Sequence, residues 1–353
     1  MAYTTINNGE DYFKQVIYTG NGTDANSITG VGFQPDFVWL KGRSVSEHHT
    51  LNDSVRGANK QLYSHLTYDE ATDTDRLQSF DSDGFTLGTD VVVNQNSQSF
   101  ASWNWYTGGS SASNTDGTIT STIKVNTTAG ISIGTYTGNG TAGATVGHGL
   151  GAAPDLILIK DRADPVAHSW AVFHSKLGGT KALSLNENGT PSTNAVWFNN
   201  TSPTSSVFSV GSSGSATNSN GYSRIFYAFT AKKGFSKMSE YTGNGNTSGP
   251  FVYTGFKPAF LLIKCTTATE HWNIPCFRNE DLGFTNGTVN FLSPNLINGV
   301  RDMDQNPAVD FLSNGFRILT SDANLNTNGG NYLYYAIAQH PFVSSTGTPV
   351  TAR

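Results

Sequence analysis

The chain reads as all-β: three tandem β-sandwich domains, jelly-roll-like, related by internal repeat. Three observations predict this. The phrase YTGNG occurs at Tyr18, Tyr136 and Tyr241, and each occurrence brings its neighbourhood with it. The polar positions are filled by Ser, Thr, Asn and 38 Gly, with charged residues at only 13 %, a surface suited to strands and turns more than to helices. No stretch of useful length shows a helical period, whereas apolar runs of strand length alternate with turn clusters.

The elements follow in order within each copy. Gly-Asn-Gly tolerates positive φ, so YTGNG reads as a strand end anchored by its Tyr and followed by a turn. A Gly-rich connection then leads to a proline-led strand: QPDFVWLK, APDLILIK and KPAFLLIK. From Tyr18 to Lys41, Tyr136 to Lys160 and Tyr241 to Lys264 the spacing holds to within one residue, so the connection is structured. Pro35, Pro154 and Pro258 are expected at the first strand position, where a missing N–H is tolerated. The continuous apolar run after each predicts a strand buried on both faces. Asp83-Gly84 and Asn314-Gly315 predict type I′ hairpin turns. Each copy closes with an Asn-rich approach and an aromatic strand, as in NQNSQSFASWNW. The expected boundaries are 1–108, 109–230 (a linker plus the second copy) and 231–353 with a C-terminal tail. Within the linker, TITSTIKV alternates and reads as a strand of copy two.

Composition excludes several function classes. The net charge of -5, with no basic block, argues against a nucleic-acid partner. The opening MAYTTINNGEDYFKQ has neither a basic nor an apolar signal region, and no apolar run is long enough for a membrane span. Membrane insertion is therefore not expected. The sequons at Asn21, Asn139 and Asn286 read as compositional bias and not as glycosylation. Cys265 and Cys276 read as two reduced, buried thiols in a protein that folds in a reducing cytoplasm.

Chemistry is sparse. A histidine nearly recurs beyond the strand-ending lysine: His48 and His49, His168, His271. With no recurring carboxylate or second histidine, the position reads as structural, a histidine bonded to a neighbouring carbonyl, and no metal or other cofactor is expected. DSDG at Asp81 begins like a calcium loop, but Val92 stands where a Glu would be needed. Asp69, Glu70, Asp73 and Asp75 crowd one loop too closely to frame a sugar for hydrolysis and read as solvated. No nucleophile elbow or P-loop is present, and the chain reads as non-enzymatic. The candidates for glycan or receptor binding are aromatic residues in polar loops: Tyr63, His65 and Tyr68, and Trp197 with Phe198. Weak sites on linked copies would gain by avidity.

The phrases TIKVNTTAGISIGTYTGNG, APDLILIK, HSWAVFHSKLG, VWFNNTSPTSSVFSVG and YLYYAIAQHPF carry a resemblance over nearly the whole chain. They resemble a β-rich repeat in tail-fibre-like and other structural proteins of marine bacteriophages. The resemblance implies a virion-surface protein, assembled in the host cytoplasm beside other virion proteins and contributing to host attachment on the tail. No catalytic residue is implied. Heptads, collagen triplets and short β-helix periods are lacking, so a spike, tip or adaptor is expected and not a fibre shaft. A capsid decoration protein and a polysaccharide depolymerase are the alternatives. By analogy with phage spikes, a homo-oligomer, with a trimer favoured, is expected.

Overall fold

The computed structural model describes residues 4–193, 195–275, 287–288, 290–302 and 308–341. It is all-β, with short helices of four residues as its α-helical content among the described residues. Two compact units emerge. One comprises Asp11–Glu187 and Pro191–Thr230, and so holds the first two copies. The other comprises Met1–Glu10, Asn188–Thr190 and Ala231–Arg353.

In copy one the elements are β1 (Phe13–Thr19), β2 (Asn26–Ile28), β3 (Phe37–Gly42), β4 (Thr50–Asp53), β5 (Gly57–Leu62), β6 (Ala71–Thr72), β7 (Leu77–Asp81), β8 (Gly84–Leu87), α1 (Val91–Asn94) and β9 (Ser99–Trp105). They form one sheet in the order β1-β9-β3-β4-β5-β6 and a second in the order β2-β8-β7. Leu40, Leu77, Phe85, Leu87 and Phe100 pack together in the core. Burying each such side chain stabilises the fold by about 1.5–3 kcal/mol.

Copy two repeats the plan with β10 (Ala112–Asn114), β11 (Ser121–Asn126), β12 (Ile131–Thr137), β13 (Thr145–Gly147), β14 (Leu156–Asp161), β15 (Ala171–His174), β16 (Lys181–Ser184), β17 (Ser192–Thr193), α2 (Ala195–Phe198), β18 (Val207–Ser209) and β19 (Ser223–Phe229). Its large sheet runs β10-β11-β12-β19-β14-β15-β16-β17, and β13 pairs with β18. The alternating stretch after the linker is thus β11, which extends the sheet at β12.

The other unit carries β20 (Ser236–Thr242), β21 (Phe251–Tyr253), β22 (Phe256–Cys265), β23 (Ile274–Pro275), β24 (Gly287–Thr288), β25 (Asn290–Leu292), β26 (Arg301–Asp302), β27 (Val309–Leu312), β28 (Gly315–Ile318), α3 (Ala323–Asn326) and β29 (Asn331–Pro341). Its sheets run β20-β29-β22, β21-β28-β27-β24 and β23-β25-β26. In all three copies, therefore, the closing aromatic strand lies between the YTGNG strand and the proline-led strand.

The proline-led strands β3 and β14 are buried at every residue, as their continuous apolar runs predict. The prolines sit differently from expectation. Pro35 and Pro154 fall two residues before their strands, while Pro258 lies inside β22, where the register to β29 shifts. A bulge accommodates the missing N–H there.

The two hairpins exist, but their turn residues lie one position earlier than predicted. Asp81 pairs with Gly84 and Leu312 with Gly315, leaving Ser82-Asp83 and Ser313-Asn314 as the loops. Those four residues keep negative φ, so the turns are not type I′. The glycines serve close approach instead: a Cβ on Gly84 would lie 2.0 Å from the Ile28 carbonyl oxygen, and one on Gly315 2.2 Å from that of Val252.

Candidate functional site

The YTGNG phrase closes a clamp on a buried asparagine. Asn94, Asn218 and Asn326 have no exposed surface. Asn94 Nδ2 donates to the carbonyls of Gly88 (2.7 Å) and Thr23 (2.9 Å), and its Oδ1 accepts from the N–H of Asn21 at 2.9 Å. Asn218 does the same with Gly211, Thr141 and Asn139, and Asn326 with Thr320, Asn246 and Asn244. The tyrosine hydroxyl donates to the carbonyl just before each asparagine: Tyr18 to Val93, Tyr136 to Thr217, Tyr241 to Leu325. Every polar atom of the buried amide is thereby satisfied, which burial demands. The first glycine of the phrase is needed because the backbones nearly touch. A Cβ on Gly20, Gly138 or Gly243 would lie 2.3–2.4 Å from the carbonyl of Gln95, Ser219 or Thr327. The second, at Gly22, Gly140 or Gly245, has φ of +66° to +70°.

The recurring lysines are also interior. Lys41, Lys160 and Lys264 have no exposed surface. Lys41 Nζ donates to the carbonyl of Glu47 at 2.6 Å, and Lys264 Nζ to those of Glu270 (2.7 Å), Cys265 (2.9 Å) and Asn188 (3.0 Å). Lys160 Nζ pairs with Asp161 and donates to the carbonyl of Thr67 in copy one at 3.1 Å. Burial pulls the Lys264 ammonium down to about 8.

That Thr67 contact belongs to a wider join between copies one and two. The loop 63–70, between β5 and β6, carries the first group of aromatic candidates. Copy two grips it at three points. Trp170 Nε1 donates to the Tyr63 carbonyl (2.8 Å), Lys160 holds Thr67, and Arg162 makes a two-pronged pair with Glu70 at 2.8 and 3.0 Å. Arg56 completes the network from below: it donates to Asp53 Oδ2 (2.5 Å), Glu70 Oε2 (3.2 Å) and the hydroxyl of Tyr227 (3.1 Å). Tyr227 in turn donates to Asp53 at 2.7 Å and stacks on Phe37. Burial pushes the Glu70 carboxyl up, but the hydrogen bonds and charge of Arg162 and Arg56 outweigh it and hold the group below the usual range. The expectation of a solvated acidic loop therefore fails at Glu70, whose side chain is 8 % exposed. Asp69 and Asp75 are exposed.

The structure separates the aromatic candidates. Tyr63 is buried, its hydroxyl accepting from Arg76 Nη1 at 2.8 Å. His65 stacks on His48, with ring centroids 4.9 Å apart and one N–H donated between His48 Nδ1 and His65 Nε2 at 2.8 Å. Burial, then the charges of His48 and Lys41, pull His65 down to about 4. Burial and Arg76 depress His48, against Glu47 and Asp90. Tyr68 is 62 % exposed, edge-on to Tyr63, so this loop offers one open ring. Trp197 and Phe198 are not in an open loop: both lie on the helical turn α2. Phe198 is a core residue packed edge-to-face on Phe173 and presents no surface for a ligand, and Trp197 is partly buried against the same core.

The repeated histidines meet three different side chains. Trp39 Nε1 donates to His49 Nδ1 at 3.0 Å; His168 Nε2 lies 3.3 Å from Asp164; Asn295 Nδ2 donates to His271 Nδ1 at 2.8 Å. Among the described residues no group of three or more His, Cys, Asp or Glu is placed to hold a metal ion, and no helix is long and apolar enough to cross a membrane. The Asp81 segment is the β7–β8 hairpin. Cys265 is buried and free; Cys276 and Asn286 lie outside the described residues.

The fold and these clamps define a class: an all-β repeat protein whose recurring polar residues are interior fastenings. Residues 8–341 match the family described as Domain of unknown function (DUF7483), and the chain belongs to that family. The family match thus spans all three copies. Comparison with curated proteins and with solved structures gave no match.

Proposed function

We propose that the chain is a non-enzymatic bacteriophage virion protein, exposed on the tail as a spike, tip or adaptor and contributing to host attachment. The observation that carries this reading is the grip of copy two on the loop 63–70. Buried ion pairs and carbonyl contacts fasten two copies into one unit, which suits a scaffold that holds surface features at fixed spacing. A carboxylate held between two arginines is ionised and stationary, a poor proton donor and a good strut. The sequence resemblance to tail-fibre-like proteins supplies the virion setting.

The test is location. An epitope on the chain, labelled with gold on intact virions, is expected at the tail. Label over the capsid would replace this reading with a decoration protein, and no label on virions would remove both. Shortening of host-surface polysaccharide by the purified chain would overturn the non-enzymatic assignment.

A further inference from the structure

We propose that the outward face of β21, in the third copy, is a binding site for acidic saccharides. The inference rests on the attachment reading and gives it a ligand class. It starts from a difference between copies. In register, Ile28 lies opposite Phe85, Val146 opposite Phe208 and Val252 opposite Phe316, so these three residues are equivalent and point inward. Their outward neighbours are Ser27 and Thr29 in copy one, and Thr145 and Gly147 in copy two. In copy three they are Phe251 and Tyr253, 47 % and 54 % exposed. Successive outward residues stand about 7 Å apart along a strand, so the rings form a short side-by-side platform. Rings this exposed contribute little to the core.

Both rings are held in place. Phe251 lies over Gly315, where a Cβ would come 3.0 Å from two of its ring carbons. Lys237 Nζ sits 5.4 Å from the Tyr253 ring centroid and donates to the Tyr253 carbonyl at 2.7 Å. Arg317, directly across from Phe251, is steadied by Ser248 Oγ at 2.8 Å. Asp310 is the next residue across the sheet from Arg317, so the guanidinium lies between that carboxylate on β27 and the Phe251 ring on β21, while Lys237 stands at the Tyr253 end of the platform.

Two rings flanked by two cations match a ligand with an apolar face and an anionic edge. A pyranose stacks its C–H face on an aromatic ring, and its carboxylate or sulfate meets the guanidinium. Other occupants fit less well. Lys237 caps the Tyr253 carbonyl on a strand at the sheet margin, which blocks pairing with an added strand. Two rings cover far less than the roughly 800 Å² per partner of a stable protein interface. A nucleic acid would call for a row of phosphate contacts, and the platform offers two cations, Lys237 and Arg317.

The experiment titrates the purified full chain with polygalacturonate, with neutral dextran and with oligo(dT), reading binding by calorimetry. Polygalacturonate is expected to bind. The double variant Phe251→Ser, Tyr253→Ser is expected to weaken it by about tenfold or more, with an unchanged melting temperature. Arg317→Gln is expected to remove the preference for polygalacturonate over dextran. Equal binding by the wild type and the double variant, equal affinity for dextran, binding to oligo(dT) alone, or no binding would each overturn the proposal. Because binding is read on the isolated chain, its failure leaves the tail location standing. A chain absent from virions that still binds polygalacturonate would fail the attachment reading alone.

Discussion

The asparagine clamp and the outward face of β21 are opposite kinds of place in the same repeat. At the clamp the three copies agree atom for atom: a tyrosine hydroxyl, a buried amide and two glycines. On the outward face they diverge, from Ser27 and Thr145 to Phe251. The clamp is enclosed, so every polar atom must find a partner and few substitutions can supply one. The outward face has solvent as an alternative partner, so its residues are free to change. Repetition in this chain therefore marks construction, and departure from repetition marks the surface where a ligand is to be sought.

The largest effect expected from the enclosed side is at the join between copies one and two. Glu70→Gln takes the shared carboxylate from the enclosed Arg56, which keeps Asp53, and from the partly exposed Arg162, and should cost about 3 kcal/mol, measured by urea unfolding. Asn94→Ala should come close behind. It strips partners from two carbonyls and an N–H, at about 1–3 kcal/mol for each group left wholly unsatisfied. Asn326→Ala should behave alike in the other unit, and a negligible loss at either would break the claim that the clamps are equivalent. Gly20→Ala forces a Cβ onto the Gln95 carbonyl and should cost about 1–3 kcal/mol. Acid acts next. Between pH 6.5 and about 4 the unfolded chain carries a proton on His65 that the folded chain lacks, so stability should fall as pH drops through that window and level off below it. The loss is up to about 3 kcal/mol, and His65→Gln should flatten this part of the profile. Smallest of all, Phe251→Ser and Tyr253→Ser should change stability by less than about 0.5 kcal/mol. A larger loss would mean that the rings belong to the core.

The sequence carried the repeat, the all-β class and the buried central strands, because periodicity and composition express local geometry directly. It also placed the tyrosine of YTGNG as an anchor. The anchor point was not legible, since Tyr18 bonds a carbonyl 75 residues away. Asn94, Asn218 and Asn326 did leave a trace, the recurring Asn-x-Asn of NQN, NSN and NTN. An Asn-rich approach reads as solvated until three of its members prove to be enclosed. Phe198 was misread because a loop would expose both it and Trp197, whereas one helical turn sends neighbours in different directions, burying Phe198 and leaving Trp197 partly exposed. The aromatic pair on β21 was overlooked because FVY has the alternation of any strand; only its register against Phe316 shows which residues face out.

The burial of the recurring lysines has one more consequence. Trypsin must seat a lysine or arginine side chain in its specificity pocket before it can cut. Lys41, Lys160 and Lys264 sit within strands with no accessible surface and their ammonium groups engaged, and Arg56 and Arg224 are enclosed as well. The proline-led strand of each copy, which would be cut in the unfolded chain, is thus closed to digestion in the folded one. Cutting is expected instead at exposed residues such as Lys181, at the start of β16.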